Sequence, residues 1–231
     1  MRIVGLIPAR GGSKGIPRKN LQTVGENSLV AIKILQAKAS MCNEIWVSTE
    51  DSEIAELAQR YGAGVIERPD RLAEDFAGSD DVLIHAIETL ELSPKDTIVM
   101  LQPTSPLLRL SSVDRCINNL LLNPTLNSVL TLKEAHPFMW EQTADKFWNP
   151  SGHKREFRPM RQEFNPSGWE TGGCYAARVD SVLATKLRFP EPTGLVSVNH
   201  IEALDIDVME DLVMARAIFG TLNASKEDRI Y

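Results

Sequence analysis

The sequence is poor in the features that mark several large classes of protein. No apolar run approaches the length of a membrane-spanning helix, so no membrane partner is expected. Arg2 is followed by only five apolar or glycine positions before Pro8, too few for the core of a secretory signal, which predicts a cytoplasmic protein. Cysteine is scarce: Cys42, Cys116 and Cys174 lie far apart, form no CxxC pair and read as buried or reduced thiols. Positive charge is in deficit, with 25 Lys and Arg against 31 Asp and Glu and a formal net charge of -6. A general nucleic-acid binder usually carries a basic domain, so no nucleic-acid partner is expected. Internal repeats and low-complexity tracts are missing as well.

What is present is alternation. The 231 residues suit one large domain, or one domain with an excursion, and the 43% hydrophobic and 24% charged composition is that of a soluble globular chain. Short β-rich runs stand at 2–7, 44–48, 64–67, 97–101 and 127–132. Helix-period stretches separate them at 29–40, 51–62, 79–90 and 111–122. Asp51-Ser52 and Ser111-Ser112 are helix start signals, and Gly62 is a stop signal. Such alternation predicts an α/β fold: a Rossmann-like, mostly parallel sheet with helices on both faces. Ligands of such sheets sit at the carboxyl ends of the strands. The polar stretches 8–20, 48–51, 68–79 and 102–109 are therefore expected along one rim.

The pattern breaks at 133–171. This segment holds Pro137, Pro150, Pro159 and Pro166, three of the four tryptophans, and a basic run around 153–162. Long excursions in compact domains usually serve function or an interface. The β signal returns at 172–178 and 194–198, and a helix over 208–219 closes the pattern.

The first loop concentrates the charge the chain otherwise lacks. "PARGGSKGIPRKN" (8–20) follows the first β run and carries Arg10, Lys14, Arg18 and Lys19. Glycines let backbone N–H groups crowd around an anion, and the cations add full charge, so the loop suits a polyphosphate. It is neither a Walker A motif nor the dinucleotide fingerprint, which disfavours a dehydrogenase. A solvated turn is the bland alternative. Near the other end, "LDIDVMEDL" (204–212) sets Asp205 and Asp207 two apart in an extended apolar context. On a strand both would face one side, a hard-oxygen site suited to Mg²⁺. Asp207 equally fits a helix N-cap, with Glu210 completing a capping box; capping does not explain Asp205.

Taken together these blocks resemble the CMP-N-acylneuraminate synthetases, the cytidylyltransferases that activate sialic and related nine-carbon sugar acids. The similarity runs in order through "IPARGGSKGIPRKN" (7–20), "VSTEDSEIAELAQRYGA" (47–63), "RPDRLAEDFAGSDDVLIHAIE" (68–88), "LQPTSPLLR" (101–109), "RPMRQ" (158–162), "YAAR" (175–178) and "LDIDVMEDL" (204–212). The resemblance implies a nucleotidyltransferase-type fold as a single domain over 1–231, with 133–171 as a dimerisation arm that helps complete the partner's sugar site. It implies that CTP and a nonulosonic acid react to give a CMP-sugar and pyrophosphate, with Mg²⁺, in a homodimer or a tetramer. On that basis Arg10, Ser13, Lys14 and Lys19 hold the triphosphate, Asn20 is a nucleotide contact, and Arg68 and Ser79 meet the cytosine or ribose. Asp205 and Asp207 are the implied Mg²⁺ ligands, and Gln102 binds the sugar. Arg161 is the implied catalytic or carboxylate-binding arginine, with Arg158 as its rival; Lys19 and Asp207 join it as catalytic candidates.

One departure stands out. The family usually has Asn-Gly before its late strand, and this chain has Thr171-Gly172, so a hydroxyl replaces an amide expected near the sugar. That leaves the choice among N-acetylneuraminate, a deaminated relative and a legionaminate-type acid open. An eight-carbon CMP-3-deoxyoctulosonate synthetase is the nearest enzymatic alternative, but "RKNL" (18–21) and "LDID" favour the nine-carbon reading. A noncatalytic nucleotide- or sugar-binding module is the alternative from another class, and retention of both aspartates and the full basic loop argues against it.

Overall fold

A computed structural model describes residues 1–74, 76–135, 138–151, 154–156, 160, 163, 167–222 and 230. In chain order the elements are β1 (Ile3–Pro8), β2 (Thr23–Val24), β3 (Asn27–Ser28), α1 (Leu29–Ala39), β4 (Glu44–Thr49), α2 (Ser52–Arg60), β5 (Gly64–Glu67) and α3 (Ser79–Thr89). There follow β6 (Thr97–Leu101), α4 (Leu110–Leu122), β7 (Ser128–Glu134), β8 (Met139–Gln142), β9 (Trp148–Ser151), β10 (Gly168–Arg178), α5 (Val179–Thr185), β11 (Thr193–Ser197) and α6 (Met209–Leu222). The main sheet has the order β11-β7-β10-β6-β1-β4-β5. Its pairs are parallel except where β10 runs against β6 and β7.

Side chains alternate across this sheet, and two cores result. Ile3 and Ile7 of β1, Val99 and Leu101 of β6, and Ala176 of β10 pack under α1, α2 and α4 through Ile34, Ile54 and Ile117. Val4, Leu6, Ile98, Met100, Tyr175 and Ala177 face the other way, against Leu83 and Ile87 of α3 and Val182 of α5. Helices therefore cover both faces, as the alternation predicts. A third cluster joins Ile16 of the basic loop to Ile206 and to Leu212, Ala215 and Phe219 of α6. It fastens the loop after β1 to the segment that carries Asp205 and Asp207.

Local chemistry sets the helix starts. The Ser28 hydroxyl accepts from the Ala31 N–H at 3.3 Å, and the Asp51 carboxylate accepts from the Ile54 N–H at 3.0 Å. Ser111 and Ser112 do not start α4, which begins one turn-position earlier at Leu110. The buried Glu202 carboxylate caps it instead, accepting from the Arg109 N–H at 3.2 Å and the Ser112 hydroxyl at 2.5 Å. That cap arrives from 93 residues away, so no local signal announces it.

The excursion leaves and re-enters the sheet as an antiparallel pair, with Trp169 opposite Lys133 and Gly168 opposite Glu134. Within it, β8 and β9 form a separate two-stranded sheet. Trp140, Phe147 and Trp148 are exposed there. All three cysteines are buried free thiols.

Candidate active site

The carboxyl ends of β1, β5 and β6 open onto a cavity of about 260 Å³. Arg10, Ser13, Lys19, Asn20, Arg68, Ser79 and Gln102 all line it, so the structure gathers residues from three of the four expected rim stretches. The fourth, 48–51, lies behind and holds the others. Arg68 donates to the Ser48 hydroxyl at 3.1 Å and to the Ser48 carbonyl at 2.7 Å. The Glu50 carboxylate accepts from the Gly11 N–H at 2.7 Å. Burial pushes the Arg68 guanidinium down to about 10, with Glu50 opposing and Arg10 adding to the shift, so the side chain stays charged at neutral pH.

Three side chains fix the basic loop. The Asn20 amide donates to the Arg10 carbonyl at 2.8 Å, so this buried residue shapes the loop as well as facing the cavity. Arg10 donates to the Ala73 carbonyl at 3.2 Å across the cavity mouth. Lys19 donates to the Ile206 carbonyl at 2.7 Å and to Asp207 Oδ1 at 3.1 Å. The loop approaches the 204–207 segment closely: a Cβ on Gly15 would lie 2.3 Å from the Asp207 carbonyl oxygen, which only glycine avoids. Lys14 opens instead onto an adjoining groove of about 490 Å³ that shares Arg10, Gly12 and Ser13 with the inner cavity. Arg18 turns away altogether and pairs with Asp51 and, at 2.6 Å, with Glu53.

The aspartate pair does not sit on a strand. Residues 204–207 form an irregular extended stretch, tied down by the Ile206 N–H donating to the Thr104 carbonyl at 2.8 Å. Ile206, fully buried between the two aspartates, anchors it. Asp205 is largely enclosed, and burial raises its carboxyl above the ordinary value despite opposing contributions from Thr104 and Lys19. Its Oδ1 is buried with no hydrogen-bond partner among the described residues. The Asp207 side chain is 75% exposed and meets Lys19 rather than the start of α6. The carboxylate that caps α6 belongs to Asp211, not Glu210 or Asp207: it accepts from the N–H groups of Asp207 at 2.9 Å and Val208 at 3.0 Å.

Gln102 also lines a second cavity of about 530 Å³, shared with Lys133, Trp169, Glu170, Gly172, Tyr175, Arg188, His200 and Asp205. Gly172 is left-handed with φ of +71°, and a Cβ there would stand 3.0 Å from Gln102 Oε1. Thr171 does not offer its hydroxyl to this cavity. It is buried, its Oγ1 lies 2.7 Å from Thr131 Oγ1, and it donates to the Thr131 carbonyl at 3.1 Å. Thr171 still lines the cavity, with its hydroxyl engaged by Thr131.

Sequence reasoning missed most of this second wall. Arg188 donates to Asp80 Oδ1 at 3.3 Å and Glu170 Oε1 at 3.2 Å, and stacks on the rings of Tyr175 and Phe189 at 5.0 and 5.1 Å. The Tyr175 hydroxyl donates to Glu170. "KLRFP" (186–190) carries no local signal for such a role; the partners come from α3 and β10. Arg161 and Arg158 lie outside the described residues.

Comparison with known proteins covers most of the chain. The family model described as cytidylyltransferase matches residues 4–149. The CMP-N,N'-diacetyllegionaminic acid synthase of Legionella pneumophila subsp. pneumophila is 30% identical over 232 residues, covering 94% of this chain and 96% of that protein. N-acylneuraminate cytidylyltransferase A of Danio rerio is 31% identical over 227 residues, covering 94% of this chain and 52% of that longer protein. A solved CMP:2-keto-3-deoxy-manno-octonic acid synthetase complexed with CTP shares the fold, with a TM-score of 0.70 at 18% identity over 96% of this chain and 99% of that one.

Proposed function

This chain belongs to the cytidylyltransferase family, and from that membership we propose that it transfers CMP from CTP to the anomeric hydroxyl of a nonulosonic acid. The hydroxyl oxygen bonds to the α-phosphorus, the bond from that phosphorus to the bridging oxygen of the β-phosphate breaks, and pyrophosphate leaves while the hydroxyl proton passes to solvent. The observation that carries the reading is the pair of cavities joined at Gln102, one walled by cations and one by mixed polar and aromatic groups. The first suits a triphosphate, the second a sugar acid.

Catalysis of this transfer is chiefly positioning and charge neutralisation. Arg10, Ser13 and Lys19 hold the phosphates, with Lys14 at the outer end. Arg68 and Ser79 hold the nucleoside, and Asn20 keeps the loop in shape. Gln102 spans both substrates, and Arg161 acts on the sugar side. Asp205 and Asp207 fit Mg²⁺: the unpartnered buried Oδ1 of Asp205 asks for a cation, and Mg²⁺ usually takes one or two carboxylates and completes its shell with phosphate oxygens and water. The chemistry a bound ion supplies here is neutralisation of charge on the triphosphate.

The setting is the cytoplasm, which suits three free thiols; among the described residues no helix is long and apolar enough to cross a membrane. The chain works as a homodimer, and the exposed aromatics of the β8–β9 hairpin support that. The test is pyrophosphate release from CTP and Mg²⁺ with a panel of N-acetylneuraminate, its deaminated analogue, a legionaminate-type acid and 3-deoxyoctulosonate. Release only with nine-carbon acids is expected. Release with none, or with the eight-carbon acid alone, would overturn the reading.

A further inference from the structure

Two cationic side chains, Lys133 and Arg188, line the cavity beyond Gln102, together with His200. A carboxylate entering it gains most from a cation that the protein has not already neutralised. Arg188 is neutralised, by Asp80 and Glu170 at 3.3 and 3.2 Å. His200 is the rival to Lys133, and the test below separates the two. Lys133 is different. It has no carboxylate partner among the described residues, and its Nζ lies over the Trp169 ring, 5.1 Å from the centroid.

The sequence pairing explains that placement. Lys133 on β7 and Trp169 on β10 are directly opposite in the antiparallel register, so the indole face comes up beside the ammonium. A cation–π contact orients an ammonium without cancelling its charge. Of the acids in the same cavity, Glu170 accepts from Tyr175 and Arg188, and Asp205 is a proposed Mg²⁺ ligand.

We infer that Lys133, held by Trp169, is the binding residue for the carboxylate of the sugar acid; this rests on the reading of the function given above. In a nonulosonic acid one carbon bears both the carboxylate and the anomeric hydroxyl. Fixing the first therefore restricts the second, the group that must reach the α-phosphorus. Lys133 thus gives this cavity a preference for acids over neutral sugars. Arg161, which the family resemblance places in catalysis or at the same carboxylate, would act beside it.

The test uses the whole chain and three probes: N-acetylneuraminate, its deaminated analogue and a 5,7-diacetamido nonulosonate, each as free acid and as methyl ester. Binding is read by tryptophan fluorescence and turnover by pyrophosphate release at saturating CTP. The wild-type protein is expected to prefer acid to ester. Lys133→Met should raise KM for the acid by about 10- to 100-fold, the size of a lost charge-assisted hydrogen bond. It should leave KM for CTP and affinity for the ester unchanged, so that the preference collapses, and Lys133→Arg should restore it. A Lys133→Met protein that still prefers acid to ester overturns the inference, as does loss of that preference in His200→Gln with retention in Lys133→Met. If the wild-type protein releases no pyrophosphate with any acid, the functional reading falls, and the fluorescence titrations still decide the subsite.

Discussion

Lys33 has no exposed surface at all, although it lies in α1 among Leu29, Ile32 and Ile34. Its Nζ donates to Gln36 Oε1 at 2.7 Å, and the Gln36 amide donates in turn to the carbonyls of Leu108 at 2.5 Å and Ile230 at 2.8 Å. Burial lowers the ammonium from its ordinary 10.5 to about 7. Between those two values the unfolded chain holds a proton that the folded chain does not, so stability rises with pH across that window. Below about 7 the full cost of a buried charge is present. Lys33→Met should therefore flatten the slope of urea midpoint against pH from 7 to 9.5, whatever it does to stability at one pH. Equal slopes in the two proteins would sink this account. Residues of this kind set the limit of what is legible in a sequence. Arg10, Lys19 and Arg68 can be read because their type and their rim position agree. Lys33 hides in an apolar stripe, and Arg188 gains its meaning from Asp80, 108 positions away.

At the scale of elements, the helices and parallel strands follow from hydrophobic period, and their observed ends lie within a few residues of expectation. What period cannot supply is the origin of a cap. The start of α6 shows this: Asp207, Glu210 and Asp211 all stand within the first turn or just before it, and only the fold decides that Asp211 reaches back to two N–H groups. Asp211→Ala should cost about 1 kcal/mol in urea unfolding, the usual loss for a capping side chain. Asp207→Asn should leave stability within about 0.5 kcal/mol, because the side chain is exposed and caps nothing. It should nevertheless abolish pyrophosphate release, because one of the two carboxylates proposed to hold Mg²⁺ is gone. Activity surviving in Asp207→Asn would remove this residue from the metal site, and equal destabilisation by both changes would return it to the cap.

For the whole molecule, one sheet rim accounts for both cavities, and the reversed strand β10 is what makes the second one. By running against β6 and β7 it carries Trp169 and Glu170 past the end of β6, where Gln102 follows, an arrangement that depends on strand order and is invisible to local pattern. The same strand takes up the chain again after the excursion that β7 launches, whose hairpin stands apart from the main sheet. An isolated two-stranded hairpin is marginal in water, and this one exposes Met139, Trp140, Phe147 and Trp148 on its two strands and turn. Burying such aromatics against a second copy would stabilise hairpin and dimer together, since aromatic side chains dominate interface energetics. The expected particle therefore sediments at twice the 25.7 kDa chain mass. The double change Phe147→Ser and Trp148→Ser should shift it to the single-chain mass at micromolar concentration. Far-UV dichroism should stay unchanged, because neither residue belongs to either core of the main sheet. A wild-type chain that sediments as a monomer at every concentration, or a double variant that stays dimeric, would take the interface away from this hairpin.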